Sequence, residues 1–395
     1  MESDLHRKII LNQSVVIQDR EHPTIDGLSD KDQLVILKIH NDIVTITPVM
    51  REILDVARSP NTPDELIRWV AQSWGCSYES VYEPVCSFLK RMGRLGVLVY
   101  EENQPNKSSS VLEEFTQTGS FAGYTLLNRL SHNHKVALYK CTYGNSDSYS
   151  YTLKVMLRKN PDESTKQKFL KEFKILKSLP EHKNIRNCLY ASEHEGIPYL
   201  LFEYIDGVSM SKKVDKVSLE CKINITRQLM DTIDHLHRHH ILHGDIHASN
   251  FLVDDQNNLH LIDLGMAHFE HEEERHHGGI PRYMPPERLP DHPFDFSEKK
   301  GDYRSEIFQI GVCLYFLFSG HYPFRGLLLK HLANAIKNES PSPLIKTPLN
   351  EIIPHSITNV ISRSMEKDPL NRYSSVAEMM DAWKLVNQHE ELVLT

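Results

Sequence analysis

A series of polar residues, each set within or beside an apolar segment, constrains this sequence most. A single lysine, Lys154, interrupts the apolar run LKVML, and an amphipathic stretch from 166 to 179 carries Glu172. The series continues with HGDIHASN at 243–250 and ends at Asp263 in the apolar run LIDLG. A lone lysine in a strand is normally a surface residue, so each member alone says little. Their joint occurrence in one order indicates that they belong to one fold.

The composition sets outer bounds on the function. The chain has 395 residues, enough for two or three domains, and its 40% hydrophobic and 25% charged residues are typical of globular proteins. A net charge of −8 argues against nucleic-acid binding by the whole molecule, because such binding needs Lys and Arg to displace counterions from phosphate. Glycine is scarce, with 17 residues, and histidine is plentiful, with 23.

The cysteines and the amino terminus indicate the compartment. The six cysteines are scattered without a C-x-x-C pair, which predicts neither a zinc knuckle nor a disulfide framework. The first residues, MESDLHRK, contain no apolar region of a signal peptide, and no stretch approaches eighteen consecutive apolar residues. We therefore expect a cytoplasmic protein that is neither exported nor inserted in a membrane.

The polar run EENQPNKSSS at 101–110 has the composition of a linker and separates a small amino-terminal domain from the rest. In that domain, β-rich runs at 33–40 and 43–47, joined at Asn41-Asp42, predict a hairpin. With the helices described next and a closing strand at 97–100, they predict a winged-helix-like unit.

Three helices are predicted between the hairpin and the closing strand. Pro48 opens the first, the capping box of Thr62 and Glu65 begins the second, and the third runs to about Met92, with Pro84 kinking it or marking its start. The apolar residues expected to face the core are Val49, Ile53, Leu54, Ala57, Leu66, Ile67, Val70, Ala71, Trp74, Val81, Val85, Phe88, Leu89 and Met92.

Such a unit can be a DNA reader, but the third helix carries Glu79 and Glu83 and has only Lys90 and Arg91 near its end, which disfavours DNA. The patterns TPVxxxIL, TPDEL and FLKxxxxLGVL resemble the PqqD-like family, winged-helix modules that bind leader peptides of ribosomally made peptides. The resemblance implies that a leader adds as a strand beside the hairpin edge at 43–46. A packing or dimerisation module without a ligand is the other interpretation.

The polar series after the linker, read in order with Pro285-Pro286-Glu287, resembles a protein-kinase-like fold. The resemblance covers about 115–383 and predicts an α+β architecture in which the winged-helix-like domain precedes a bilobal kinase-like domain, with a β-rich lobe and a helical lobe. We place the winged-helix-like domain at 1–100, the linker at 101–114, the smaller lobe at 115–207 and the larger lobe at 208–395.

The resemblance assigns roles in phosphoryl transfer from ATP, which depends on positioning and charge neutralisation. Lys154 is expected to hold the α- and β-phosphates, steadied by Glu172. Asp245 is expected to accept the proton of the attacking hydroxyl or to orient it. Asp263 and Asn250 are expected to bind Mg²⁺ through oxygen atoms. The remaining expected nucleotide contacts are Val136 in the phosphate loop and the main chain at Glu203 and Ile205, beside adenine.

Two scaffold features of the carboxyl-terminal half add to the resemblance. The segment EIFQIGV at 306–312 resembles the family's D-I-Y-S-L-G-V helix, with Glu306 in place of Asp. Arg372 resembles the late arginine that pairs with the glutamate of the Pro-Pro-Glu motif, Glu287. These features support the fold rather than the activity.

The phosphate loop departs from the family pattern. When Val136 is aligned with the last position of G-x-G-x-x-G-x-V, Arg129, Ser131 and His134 stand where glycines belong. A Cβ there limits the approach of backbone N–H groups to phosphates. Either the nucleotide binds more loosely, or the side chains of Arg129, His132, His134 or Lys135 contact phosphate.

The catalytic loop, residues 243–250, departs from the family pattern as well. Gly244 replaces the arginine through which a phosphorylated activation loop signals to the catalytic aspartate, so we do not expect that control. His247 stands where Ser/Thr kinases carry a lysine that contacts phosphate. Ile280 stands where they carry a threonine that bonds to the catalytic aspartate, the counterpart of Asp245. This H-G-D-x-H form is similar to aminoglycoside-phosphotransferase-like enzymes and to kinase-like domains of some peptide-modifying enzymes.

Histidines 235, 237, 239, 240, 243 and 247 crowd this region, but those before the loop fall mostly on different helical faces. A dedicated metal site is therefore not expected, and His243 is expected to form a structural hydrogen bond behind the catalytic loop.

The predicted function is an ATP-dependent kinase for a Ser or Thr hydroxyl of a peptide or protein, such as a ribosomally made precursor peptide held by its leader. A small-molecule phosphotransferase and a nucleotide-binding pseudokinase scaffold are the alternatives. Neither nucleic acid nor a membrane is an expected partner.

Overall fold

A computed structural model of the chain describes residues 8–11, 15–19, 35–39, 42–46, 48–74, 77–94, 97–100, 119–132, 135–144, 149–272, 280–289, 301–325 and 329–393. The linker predicted at 101–114 lies outside these residues.

The amino-terminal unit contains a three-stranded antiparallel sheet in the order β2-β3-β4. Its strands are β2 (Val15–Asp19), β3 (Val35–Ile39) and β4 (Asp42–Ile46). Ile39 pairs with Asp42, so the predicted hairpin is present, and Asp42 belongs to β4 rather than to the turn. Strand β2 was not predicted.

Three helices and a second, two-stranded sheet complete this unit. The helices are α1 (Pro48–Val56), α2 (Pro63–Trp74) and α3 (Tyr78–Arg94). The capping box of α2 is formed, since Thr62 N donates to Glu65 Oε2 at 2.7 Å and Glu65 N donates to Thr62 Oγ1 at 3.2 Å. The closing strand β5 (Leu98–Tyr100) pairs with β1 (Ile9–Leu11), which was not predicted.

The third helix runs without interruption through Pro84, so this residue does not mark its start. Every predicted core residue of the three helices whose side chain is described is buried. The side chains of Val49 and Trp74 lie outside the described part. The classification of the whole unit as a winged helix remains a prediction.

The smaller lobe of the remaining chain is a six-stranded antiparallel sheet in the order β10-β11-β9-β8-β7-β6, accompanied by one helix, α4 (Glu163–Ser178). The Asp162 side chain caps α4 by accepting a hydrogen bond from Thr165 N at 2.9 Å. The strands are β6 (Ser120–Phe121), β7 (Tyr124–His132), β8 (Val136–Tyr143), β9 (Tyr151–Met156), β10 (Cys188–His194) and β11 (Ile197–Glu203).

The larger lobe is mainly helical and surrounds α6, whose residues from Ser305 to Phe318 are all buried, as expected for a helix that is apolar on every side. Its helices are α5 (Leu219–Arg238), α6 (Tyr303–Ser319), α7 (Leu329–Asn338), α8 (His355–Ser364) and α9 (Val376–Val393). Its short strands pair in the orders β12-β14-β15 and β13-β16. They are β12 (Gly207–Ser209), β13 (Ile241–Leu242), β14 (Phe251–Asp254), β15 (Leu259–Leu261) and β16 (His268–Phe269).

The described residues include no helix with both the length and the apolar character that a membrane crossing requires.

Candidate active site

Lys154 lies in the middle of β9, a strand flanked by β8 and β11, and pairs with Leu138 and Leu200 in the two ladders. Only 9% of its surface is exposed. A lysine buried to this degree is stable only with charge partners. The two partners come from distant parts of the chain, Glu172 on α4 and Asp263 after β15.

Glu172 faces Lys154 from α4. The Lys154 Nζ donates to Glu172 Oε2 at 2.6 Å, and the Leu264 backbone N–H donates to Glu172 Oε1 at 3.3 Å. Glu172 is 2% exposed, so this ion pair is almost shielded from water. The contact with Leu264 joins the smaller lobe to the start of the segment that follows Asp263.

Asp263 is the second carboxylate at Lys154, with its Oδ1 at 3.3 Å from the Nζ. Oδ1 also accepts a hydrogen bond from Gly265 N at 2.9 Å. Burial opposes ionisation, but the Lys154 ammonium, the Gly265 N–H and the Arg186 guanidinium outweigh it and lower the pKa of Asp263. Burial likewise opposes the charge of Lys154, and the two carboxylates outweigh it and raise the pKa of the lysine.

Arg186 is a charged neighbour that belongs to none of the sequence motifs. It is 6% exposed, its guanidinium lies 4.0 Å from the centre of the Phe202 ring, and burial lowers its pKa despite the nearby Glu172 and Asp263. The only sequence signal was an arginine in the otherwise uncharged run from Asn184 to Tyr190.

The loop at 243–250, predicted to be the catalytic loop, brings the Asn250 side chain to the Asp245 main chain. Asn250 Nδ2 donates to the Asp245 carbonyl oxygen at 2.9 Å. His247 Nδ1 accepts from Ser249 N at 3.2 Å, so its other nitrogen, Nε2, is the protonated one in the neutral ring. That Nε2 lies 3.4 Å from Asp245 Oδ2.

A protein kinase domain model matches residues 133–384, which is more than half of the chain. The chain belongs to the protein kinase family. It is 28% identical over 225 residues to serine/threonine-protein kinase PrkC of Bacillus subtilis, which covers 54% of this chain and 32% of that protein. A probable serine/threonine-protein kinase of Clostridium perfringens is 27% identical over 229 residues, 55% of this chain and 32% of that protein.

Probable serine/threonine-protein kinase PknB of Lactococcus lactis is 28% identical over 211 residues, which covers 50% of this chain and 31% of that protein. The matched regions therefore span about a third of the length of each of these relatives.

Two interactions of the kinase domain hold the catalytic loop from behind. Glu306 on α6 accepts hydrogen bonds from Gly244 N at 2.6 Å and from His237 Nε2 at 2.8 Å. Burial opposes the charge of Glu306, but His237 and the Gly244 N–H outweigh it and lower the pKa of the carboxyl. His243 is buried, and its Nδ1 accepts from Asp245 N at 3.3 Å.

The scaffold pair of the larger lobe is formed. Arg372 Nη1 and Nη2 donate to the two carboxylate oxygens of Glu287 at 2.8 and 2.7 Å, and Arg372 is 1% exposed. Burial opposes the charge of Glu287, but the guanidinium outweighs it and lowers the pKa of the carboxyl. A bidentate contact of this kind fixes the end of the segment that begins at Asp263.

The segment predicted to be the phosphate loop, 129–136, begins within β7 and ends at the first residue of β8. Arg129 and Ser131 lie on β7, where they pair with Tyr139 and Leu138, so the strand runs through two positions at which the family pattern has glycines. Val136 begins β8, and its partner across the ladder with β9 is Met156. His134 lies outside the described residues, and phosphate contacts by the loop side chains stay a prediction.

The hinge between the lobes follows β11. Glu203, the last residue of that strand, is exposed, and its backbone N–H donates to Asn187 O at 3.2 Å. Ile205 is two residues further along and is half-buried. The expected main-chain contact of both residues with adenine stays a prediction.

The crowded histidines have separate partners. His235 Nε2 lies 3.1 Å from Pro180 O, His239 Nδ1 lies 2.7 Å from His235 O, and His240 Nδ1 lies 3.3 Å from Glu270 Oε2. Within the part of the chain that the structure describes, no three His, Cys, Asp or Glu side chains are grouped so as to hold a metal ion.

Proposed function

We propose that this chain is an ATP-dependent serine/threonine kinase that phosphorylates a hydroxyl of a peptide or protein. The observation that carries the proposal is the meeting of three charged groups from three elements, with Lys154 Nζ 2.6 Å from Glu172 and 3.3 Å from Asp263. Burial of Lys154 and Glu172 costs free energy unless the two charges are paired. A buried ammonium held in this way can bind the phosphates of a nucleotide.

Lys154 supplies the positive charge for the α- and β-phosphates, and Glu172 fixes the direction of its ammonium. Protein kinases generally use ATP with Mg²⁺, and their catalysis consists largely of positioning and charge neutralisation. A lysine held by two carboxylates is already oriented before the nucleotide arrives. Its side chain then loses little conformational freedom on binding.

Asp263 and Asn250 fit the needs of a hard cation. The side chain of Asp263 is 47% exposed, and its lowered pKa keeps it ionised at neutral pH. The Asn250 amide nitrogen is engaged with Asp245 O, which leaves Oδ1 as the atom for a ligand. Carboxylate and amide oxygens suit Mg²⁺, which neutralises charge on the β- and γ-phosphates when it is bound with ATP.

Asp245 is the group that receives the acceptor proton. The acceptor oxygen forms a bond to the γ-phosphorus while the bond from that phosphorus to the β,γ-bridging oxygen breaks, and the hydroxyl proton passes to the Asp245 carboxylate. Asn250 holds the Asp245 main chain, and His247 lies 3.4 Å from its carboxylate. Both contacts fix the direction in which Asp245 points.

The amino-terminal unit, in this proposal, captures the leader of a ribosomally made precursor peptide. Support comes from its resemblance to PqqD-like modules and from β4, which pairs with β3 on one edge and with no described strand on the other. An edge of this kind can take up a peptide as an added strand. Capture turns the encounter with the kinase domain into an intramolecular one, at an effective concentration of the order of mM for a short linker.

A peptide or protein acceptor is favoured over a small molecule. The pair of Glu287 and Arg372 anchors a full activation segment of the type that frames protein substrates in this family. The named relatives are serine/threonine-protein kinases, which points to the same acceptor class.

The activity is tested with the full chain, Mg-ATP and Ser- or Thr-containing peptides, followed by intact mass. We expect mass increases of one phosphate, reduced at least about hundredfold in rate by Asp245→Asn or Asp263→Asn. The matched control is Asp381→Asn, an exposed aspartate on α9 that is expected to leave the rate unchanged. No transfer to any acceptor would overturn the proposal and indicate a scaffold, and a thermal shift of the parent protein by Mg-ATP would then show that this scaffold binds nucleotide.

Leader capture is tested by deleting residues 1–100. We expect the deletion to raise KM for a leader-bearing peptide far more than for the same peptide without its leader. An equal effect on both peptides would contradict capture while leaving the kinase activity untouched.

A further inference from the structure

A second ion pair connects α4 to the segment that follows β16. Lys171 Nζ lies 2.7 Å from Glu272 Oε2, and the two side chains are 18% and 30% exposed. Lys171 directly precedes Glu172, whose carboxylate contacts Lys154. Neighbouring residues of one helix therefore connect it both to the strand lysine and to the segment beyond Asp263.

The segment that carries Glu272 is itself fixed to the larger lobe. Strand β16 pairs with β13, which immediately precedes the catalytic loop. The Glu270 backbone N–H donates to His240 O at 2.8 Å, and the Tyr303 hydroxyl donates to Glu270 Oε2 at 2.7 Å. Glu272 therefore presents its carboxylate to Lys171 from a held position.

The sequence from Asp263 to Glu287 excludes a phosphorylated serine or threonine as a source of negative charge. From Asp263 to Glu287 there is no serine or threonine, whereas glutamates stand at 270, 272, 273 and 274. The one tyrosine, Tyr283, is 3% exposed, and its hydroxyl oxygen accepts from Ala248 N at 3.4 Å. The segment thus has no accessible hydroxyl to phosphorylate, and Gly244 offers no side chain to bind a phosphate.

We propose that Lys171 and Glu272 are positioning residues whose ion pair ties α4 to the activation segment and holds Glu172 at Lys154 without any phosphorylation. The Glu272 carboxylate supplies permanently the anion that a kinase can otherwise obtain from a phosphorylated side chain. The domain is then in its active arrangement as soon as it has folded. The inference rests on the proposed kinase function.

A charge exchange in the full chain tests the pair. We expect Lys171→Glu or Glu272→Lys alone to lower kcat/KM for peptide phosphorylation by about tenfold, mainly through kcat, because each places like charges in contact. The double variant Lys171→Glu with Glu272→Lys restores the pair with reversed sign and is expected to recover at least half of the activity. The matched control is the pair Lys166 and Glu193, which joins the same helix to β10 within the smaller lobe. Breaking that pair is expected to leave kcat unchanged.

Amide hydrogen exchange of residues 163–178 provides a readout that needs no activity. We expect faster exchange in both single variants, parent-like exchange in the double variant, and unchanged kcat/KM of the parent after phosphatase treatment. Single variants that keep parent exchange and kcat, a double variant no better than either single one, or loss of activity with phosphatase would overturn the proposal. A parent without kinase activity but with these exchange differences would refute the proposed function and keep the positioning role.

Discussion

Glu306 accepts a hydrogen bond from the backbone N–H of Gly244, with 2.6 Å between Oε1 and the nitrogen, and the contact is buried. The residue that replaces the family's aspartate on α6 therefore reaches the residue that replaces the family's arginine in the catalytic loop. Gly244 has φ +79°, a conformation that side chains rarely adopt, and a Cβ built there would lie 2.6 Å from the Met266 carbonyl oxygen. The two departures from the family pattern thus meet at one point.

Gly244→Ala is expected to lower the free energy of unfolding by about 2 kcal/mol and to reduce kcat strongly, because the loop must move away from Met266. Thermal unfolding and steady-state kinetics measure the two effects. Gly93→Ala is the control, since a Cβ on that helical glycine meets nothing within 4 Å and should stabilise the chain slightly. A fully active and stable Gly244→Ala protein would contradict the strained geometry.

Glu306→Gln tests the charge behind the catalytic loop. The folded-state pKa of Glu306 is lowered by His237 and Gly244, so its contribution is complete above the unfolded pKa of about 4.5 and is lost as the pH falls through the folded value. We expect the variant to be less stable than the parent by about 2 kcal/mol at pH 7. The difference should narrow below about pH 4.5, which denaturant unfolding across pH 3 to 7 measures. A difference that is constant over this range would exclude an ionised Glu306.

Lys154→Met separates stability from function. It leaves the buried Glu172 without its partner, which should destabilise the chain by about 3 kcal/mol and abolish phosphoryl transfer. Adding Glu172→Leu removes the unpaired charge, so the double variant is expected to regain most of the stability and none of the activity. Denaturant unfolding and the peptide assay together check this outcome. Stability that stays low in the double variant would show that packing, rather than the orphaned carboxylate, causes the loss.

Arg372→Lys is expected to destabilise the larger lobe by about 2 kcal/mol, although the charge is kept. A lysine cannot donate to both oxygens of Glu287 from one plane, and Arg372 is almost wholly buried. Thermal unfolding measures the change, and Arg363→Lys on α8, whose arginine makes a more exposed contact with Glu378, serves as the comparison. Equal effects of the two substitutions would contradict a special role for the bidentate pair.

Interactions between residues close in sequence could be predicted from the pattern alone. The capping box of Thr62 and Glu65 joins residues three apart, and both of its predicted hydrogen bonds are formed. Such spacings follow from the geometry of one turn or loop, so the residue types are enough to predict them. The order of Lys154, Glu172 and Asp263 could also be predicted, because the family pattern contains the same residue types in the same order.

Only the tertiary structure decided the contacts between residues that are distant in the sequence and belong to no common motif. Lys171 and Glu272 are 101 positions apart, and His237 and Glu306 are 69 apart. Arg186 lies beside Glu172 and Asp263 although nothing in its own segment indicates a charged neighbourhood. These contacts depend on how the strands and helices pack. Packing brings together elements that are far apart in the chain, and the sequence of one element does not indicate which other element it will contact. The sequence by itself determined which charged residues the kinase domain carries, and packing decided which of them support one another.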